Sequence, residues 1–332
     1  MTSVLAVNST PYTNGSLGPD LAWRMATHFR IDETAMAASD RRFSCRTAEG
    51  PGRTFATVLD CPSVAALSPN LRALLGITAA AGPAMIIGGG SVGAGAVYED
   101  PRFPGSLAEL VRRETAERAD PDLFVVAPSV PEYVPPESLV TDGAVRLGTG
   151  RSWYYRRLGE YPTMPEYVAG QPRGVRRTLA RDIRVAEELS VSIGPLTADH
   201  PRLRDAVALF TAVERNNGEL ADARLTAWRV RTLMRAARRS FLVEVAPAPE
   251  AEPICYTLLR ELVPDVLDVS MIGIADGTAG RRDVYHVGAF MLPLQFAISQ
   301  GFDLAVFGRE HAVPKKLRGL EELGGVDVYP GP

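Results

Sequence analysis

Three strand-like segments follow one another in the second half of the chain, and this run limits the possible folds more than any other feature. They cover Phe241 to Val245, Pro253 to Arg260 and Asp268 to Ile274. Polar or glycine-rich stretches separate them, which predicts three antiparallel strands. Two helical segments precede the run, and a helix, a strand, a short helix and a last strand follow it. This order predicts an α/β (α+β) domain with a central mixed sheet flanked by helices.

The helices of this half are predicted from their periodicity and cover residues 173–189, 206–216, 223–239 and 286–299. Pro293 lies inside the last of them, so it must either kink that helix or mark its true start. The two further strands are Leu304 to Phe307 and Val326 to Tyr329.

The first part of the chain shows weaker patterns. Residues 1–50 are polar and mixed, Thr54 to Leu59 and Pro83 to Ile87 are predicted strands, and Gly105 to Arg118 is a predicted amphipathic helix. This alternation also indicates an α/β or α+β unit.

The composition excludes several classes of protein. The 332 residues carry a net charge of −3, with 46% hydrophobic and 23% charged residues, which argues against disorder and against a global basic field. No apolar run is long enough to predict a membrane span, and the N-terminus lacks the features of a signal peptide. Cys45, Cys61 and Cys255 show no metal-ligand spacing. We therefore expect a cytoplasmic protein with reduced thiols, no metal and no membrane span.

The predicted helix 173–189 carries a row of arginines. Arg173, Arg177, Arg181 and Arg184 are spaced by four, four and three residues, which puts them on one face, and Arg176 lies beside them. Such a row of planar donors suits an anion such as a tRNA backbone or a pyrophosphate. The alternative is a solvated helix face.

A second basic cluster follows the predicted strand Leu304 to Phe307. Gly308 allows close backbone approach to a ligand, and Arg309, Lys315, Lys316 and Arg318 supply cations. Cations and backbone N–H groups at the start of a short helix suit an anion, such as a phosphate or a developing oxyanion. The alternative is a solubilising turn.

Candidates for general acid–base chemistry lie close to this cluster. Tyr285, His286 and Glu310, with His311 beside them, could take a proton from an attacking nucleophile or give one to a leaving group. The alternative for each is a structural role.

The glycine-rich segment Gly88 to Gly95 contains the pattern G-x-G-x-x-G. Ala94 to Tyr98 reads as a strand and not as the helix that a dinucleotide site requires. We therefore predict a glycine-rich hairpin, and a Rossmann-type oxidoreductase is the weaker alternative.

Several segments resemble the Fem-type branch of the GNAT acyltransferase superfamily. They are Tyr161 to Arg184, Glu252 to Thr257, Tyr285 to Gly301 and Phe302 to Gly319, within roughly residues 135–330. They resemble, in order, the family's short helix and basic helix, the strand that opens its central meander, the helix beside the acceptor site, and the strand, turn and basic helix that follow.

The resemblance implies a GNAT fold of two tandem GNAT-like domains, which we predict at residues 1–135 and 136–332. It implies amide-bond formation between a carrier-bound acyl group and an amine of a small metabolite or cell-wall precursor. No clean Gln/Arg-x-x-Gly-x-Gly/Ala loop precedes Tyr285, which favours aminoacyl-tRNA over acyl-CoA as donor. Neither donor is a permanently bound cofactor. The alternatives are an acyl-CoA-dependent N-acyltransferase and a non-catalytic GNAT-like protein that binds tRNA or another partner.

Overall fold

The computed structural model describes residues 19–38, 44–62, 83–88, 96–116, 122–128, 148–149, 152–217, 221–309, 311–324 and 326–330. The strands among these residues form two sheets of seven strands each.

The first sheet gathers strands from the first half of the chain and one strand from the second half. Its strands are β1 (Ser44–Glu49), β2 (Phe55–Cys61), β3 (Ala84–Ile87), β4 (Val97–Tyr98), β5 (Asp122–Pro128), β6 (Gly148–Thr149) and β14 (Val326–Pro330). The order is β1-β2-β3-β5-β14-β6, with β4 also pairing β2. Strands β3 and β5 run parallel. The helices of this half are α1 (Pro19–Ala38) and α2 (Ser106–Ala116).

The second sheet contains the predicted three-strand run. Its strands are β7 (Trp153–Arg157), β8 (Ser190–Pro195), β9 (Arg239–Ala246), β10 (Cys255–Val263), β11 (Val266–Ile274), β12 (Leu304–Arg309) and β13 (Glu321–Gly324). The order is β13-β7-β12-β11-β10-β9-β8. Strands β9, β10 and β11 are antiparallel neighbours, as predicted, and β12 lies parallel to β11.

The helices of the second half lie between these strands in the chain. They are α3 (Met164–Ala169), α4 (Arg173–Glu187), α5 (Leu203–Asn216), α6 (Ala223–Ala236), α7 (Arg281–His286), α8 (Leu292–Ser299) and α9 (Ala312–Lys316). A π-helical turn, Val287–Met291, joins α7 to α8. The predicted helix 286–299 therefore begins earlier than expected, at Arg281, and Pro293 occupies the first turn of α8, where a missing N–H costs least.

The first sheet takes one strand from the C-terminal end of the chain, whereas the second is built from the consecutive strands β7 to β13. Strand β14 pairs with β5 and β6 of the first sheet, and β7 pairs with β12 and β13 of the second. The boundary predicted at residue 135 assigns β14 to the second domain, whereas its hydrogen bonds complete the first sheet. The boundary itself stays a prediction.

The second sheet is covered on both faces. Alternate side chains of its strands point to opposite sides, so each face contributes to a different cluster. Trp153, Val266 and Leu304 pack in one cluster with residues of α1. Tyr154 and Phe307 pack on the opposite face in a cluster with residues of α4, α7, the π turn and α8. Helix α1 thus joins the first half of the chain to the second sheet.

Helix α1 lies in a segment for which the sequence predicted no element. Its inward face carries His28 and Asp32, which are buried although both are polar. Arg260 of β10 donates to Asp32 over 2.9 Å, and it also donates to Asp268 of β11 over 2.7 Å. Ala22, Met25, Ala26 and Phe29 are also buried on this face and follow the helical i, i+3, i+4, i+7 spacing, so the sequence carried a signal for this helix that was not recognised.

Candidate functional site

Pairing between β11 and β12 stops partway along β11, and we call the region beyond the last pair the opening. The two strands pair only from Val266 to Val269 against Leu304 to Phe307. Ser270 is an extra residue in the pairing of β11 with β10, so it forms a β-bulge at the point where β11 leaves β12. Bulges bend a strand and raise its twist, which accounts for the separation.

Lys315 lies at the end of this opening. Its side chain is only 5% exposed. Its ammonium donates to the carbonyls of Phe307 (2.9 Å) and Gly308 (2.6 Å) and lies 4.9 Å from the ring centre of Tyr154. It therefore satisfies the carbonyls of the last β12 residue that pairs with β11 and of the residue after it. Burial lowers the pKa of this lysine to about 7.

A buried ion pair holds α4 against the segment that follows α9. Arg318 donates from Nε to Asp182 over 2.7 Å, and each residue is 1% exposed. The Arg318 guanidinium also lies 5.1 Å from the ring centre of Phe290, and Tyr167 donates to its carbonyl over 2.8 Å. The two basic segments predicted from sequence, 173–184 and 308–319, therefore meet in the fold.

The predicted donor-binding residues divide into exposed and buried groups. Arg173, Arg177 and Arg181 lie on the exposed face of α4. Within the residues that the structure describes, Arg181 contacts Asp182 and Asp283, whereas Arg173 and Arg177 form no salt bridge.

The other predicted cations lie around α9. Lys316 is exposed and pairs with Glu322 over 2.6 Å, whereas Lys315 and Arg318 are buried. The backbone of Arg309 belongs to β12, and its side chain lies outside the described part. The roles of all these residues in donor binding stay predictions.

Two of the three predicted acid–base residues lie at the end of α7. Tyr285 is half-buried, and burial raises its pKa, so the phenol is protonated near neutral pH. His286 is 6% exposed, and burial together with the charge of Arg318 lowers its pKa to about 4, so the imidazole is neutral. Glu310 lies outside the described residues, as do Gly89 to Gly95 of the glycine-rich segment.

The sequence suggested Asp182 only as a partner of the arginines on a solvated helix face, and its burial was missed. It is buried with Leu179 on the inward side of an arginine-rich helix. A carboxylate on the apolar side of an amphipathic helix requires a buried cation, and that position was the available signal.

Other kinds of site find no support in the described residues. No group of three histidine, cysteine or acidic side chains there could hold a metal ion. No helix among them is long and apolar enough to span a bilayer. Burial raises the pKa of Cys255 to about 12, so this thiol is not a ready nucleophile.

Known proteins resemble this chain in structure but not in sequence. No family model matches the chain. No curated protein matches it in sequence. FemX has a similar structure, with a TM-score of 0.59 and 10% identity over 92% of this chain and 95% of FemX.

Two further solved structures are similar over most of their length. A conserved protein of unknown function from Bacteroides thetaiotaomicron has a TM-score of 0.51 and 10% identity, over 97% of this chain and 99% of that one. L-PGS from Bacillus licheniformis has a TM-score of 0.50 and 8% identity, over 86% of this chain and 84% of that one.

Identities this low show the fold alone. The three-strand meander, the parallel pair β11–β12 and the helix that connects them are the elements that the predicted fold requires. The chain has the GNAT-like fold predicted from its sequence, and its structural neighbours include FemX.

Proposed function

We propose that the chain is an acyltransferase that joins a carrier-bound acyl group to an amine of a small metabolite or cell-wall precursor. Aminoacyl-tRNA is the favoured carrier. The observation that carries the proposal is the opening between β11 and β12, which ends at Lys315 and lies on a sheet that α4 covers with an outward row of arginines. An opening lined by a strand edge can hold an acyl group while cations outside it hold a polyanionic carrier.

The reaction forms a C–N bond and breaks the bond from the carbonyl carbon to the oxygen of the carrier. The amine loses a proton and the leaving oxygen gains one. Tyr285 is protonated and can supply that proton, and the neutral His286 can accept the proton of the amine. A base with a pKa near 4 is weak at neutral pH, so most of the rate enhancement would come from positioning the amine against the carbonyl. The carrier is a substrate, and no resident cofactor takes part.

The exposed arginines of α4 are the proposed contacts to the carrier. Arg173 and Arg177 have no acidic partner among the described residues, so binding a phosphate there breaks no ion pair with that part of the chain. Arg181, Arg309 and Lys316 extend the proposed set. Lys315 and Arg318 are buried, and they would act on the donor only inside the opening.

An acyl-CoA donor is the second candidate, and the loop before α7 favours it. Gly277 and Gly280 both have positive φ, and a Cβ at either position would meet nothing within 4 Å. An open glycine turn at the start of a helix can admit a pyrophosphate. A non-catalytic protein that binds tRNA or another partner is the remaining alternative.

The test is a transfer assay with labelled aminoacyl-tRNA or acyl-CoA and a panel of amines, with and without ribonuclease. We expect transfer that ribonuclease abolishes. Transfer that survives ribonuclease and requires acyl-CoA would support the second candidate. Binding of tRNA without turnover would support the non-catalytic alternative. A protein that neither binds nor transfers would refute the proposal.

Charge-reversal variants locate the carrier. The double variant Arg173→Glu/Arg177→Glu should weaken tRNA binding, and the slope of log affinity against log salt should fall by about 2, because about two phosphate contacts are lost. The double variant Arg204→Glu/Arg224→Glu is the matched control, since both residues are exposed on α5 and α6, which pack against the other face of the sheet. If the control variant weakened tRNA binding as much as the α4 variant, the carrier would not bind at the arginines of α4.

A further inference from the structure

The helix that carries Tyr285 and His286 changes its hydrogen-bond register once. In the π turn the N–H of Leu292 donates to the carbonyl of Val287, five residues earlier, and not to Gly288, four residues earlier. A π turn adds one residue to the helix, which rotates the preceding part by about 100° relative to an unbroken α-helix. The register of this turn therefore decides which way α7 presents its side chains.

A side chain from β10 donates a hydrogen bond to the Gly288 carbonyl, which the N–H of Leu292 does not reach in the π turn. Thr257 is fully buried, and its hydroxyl donates to the Gly288 carbonyl over 2.9 Å. In an unbroken α-helix the N–H of Leu292 would occupy that carbonyl. The hydroxyl of Thr257 thus favours the π register, because a buried carbonyl without a donor is costly.

Gly288 lets the turn lie directly on the sheet. A Cβ at this position would be 2.7 Å from the sulfur of Cys255 and 3.6 Å from the hydroxyl oxygen of Thr257. No real Cβ makes the shorter contact without a shift of its neighbours. Pro293, just beyond the turn, has no N–H to give to the carbonyl of Ala289, which further weakens the α-helical alternative.

The part of the helix before the turn packs beside Phe290, whose ring also lies 6.2 Å from that of Phe307 at the end of the β11–β12 pairing. The ring of His286 lies 6.1 Å from that of Phe290, over which Arg318 is stacked. The ring of Tyr285 lies 6.2 Å from Phe290. A rotation of about 100° would move both rings away from these neighbours.

We propose that Thr257 is a positioning residue: with Gly288 it holds the π turn in the register that presents Tyr285 and His286 to the opening. This inference rests on the proposed acyl transfer. Thr257 lies beneath the turn and acts through the helix, so it touches no substrate.

The test compares Thr257→Val, Thr257→Ser and Thr211→Val in the full chain. Valine keeps the shape and removes the donor, and serine keeps the donor. Thr211 is a matched control, because its buried hydroxyl donates to the Val207 carbonyl over 2.7 Å within α5, on the other face of the sheet. Each variant is measured by hydrogen exchange of peptides covering 285–292 and by kcat and KM in the transfer assay.

Thr257→Val should speed exchange in 285–292 about tenfold, because one buried hydrogen bond is lost. It should also lower kcat while the KM for the donor stays within about twofold. Thr257→Ser should restore both, and Thr211→Val should change neither in this segment. Unchanged exchange in Thr257→Val would overturn the role of Thr257 in holding the turn, and faster exchange with normal kcat would overturn its role in positioning.

Failure of the proposed function gives a different result. If the wild-type protein has no transfer activity, the proposed acyl transfer is refuted. The proposed role of Thr257 in positioning catalytic groups is then refuted as well. The exchange measurement, which needs no substrate, would still decide whether Thr257 holds the register of the turn.

Discussion

Lys315 should make the stability of the protein depend on pH in a direction opposite to that of a paired lysine. Its pKa is about 7 in the folded chain against an ordinary value of 10.5, and burial is the cause. Between these two values the unfolded chain binds a proton that the folded chain does not bind. The free energy of unfolding should therefore rise with pH across this window. The stability gained from Lys315 at high pH should be lost as the pH falls towards 7.

The magnitude follows from the same two values. Each pH unit inside the window contributes up to about 1.4 kcal/mol. Between pH 7 and pH 9 the wild type should gain roughly 2–3 kcal/mol relative to Lys315→Met, which has no titrating group at this position. The variant also leaves the carbonyls of Phe307 and Gly308 without this donor, but that loss does not depend on pH and cancels in the comparison.

The assay is urea unfolding of wild type, Lys315→Met and Lys316→Met at pH 7, 8 and 9. Lys316 is the matched control, because it is the next residue in α9 but is exposed and paired with Glu322. Its variant should follow the wild type at a constant offset. Parallel curves for wild type and Lys315→Met would refute the reasoning, since they would mean that the Lys315 ammonium keeps an ordinary pKa.

Two further predictions concern the junction between the halves of the chain. Arg260→Met should lower the free energy of unfolding by about 3–5 kcal/mol in urea, because it leaves the buried Asp32 and Asp268 without their cation; a loss below about 1 kcal/mol would show that the pair is not desolvated. The chain can also be expressed as two separate fragments, 1–135 and 136–332. We expect neither fragment alone to show a cooperative unfolding transition, because β14 completes the sheet of the first fragment. The combined fragments should recover a cooperative transition. A soluble, cooperatively folded fragment 1–135 would contradict this.

The three-strand run could be predicted from sequence because its local signals agree with its place in the fold. Strands β9, β10 and β11 overlap all three predicted segments, and helix α4 begins at the predicted Arg173. Here β-rich composition, turn residues and charge spacing all act over short distances in the chain.

Other features could not be predicted, because they depend on partners far away in sequence. Asp32 lies 228 residues from Arg260, and the sequence around either residue does not indicate that the two form an ion pair. Strand β7 was missed although its aromatic run Trp153 to Tyr155 is typical of a strand. Its place between β12 and β13 depends on distant partners and is not encoded in the segment. At the site, the charges of Lys315 and Arg318 were visible in the sequence, but their burial was not.

The pairing of β14 with the first sheet also affects how the chain reaches its native state. About two hundred residues separate β5 from β14, so this pairing has one of the highest loop-closure costs a chain of this size can carry. Until β14 arrives, one edge of β5 has no strand to pair with, and unpaired edges recruit other chains. Crowding during synthesis or refolding should therefore lower the yield of this protein through intermolecular pairing at β5, however stable the finished molecule is.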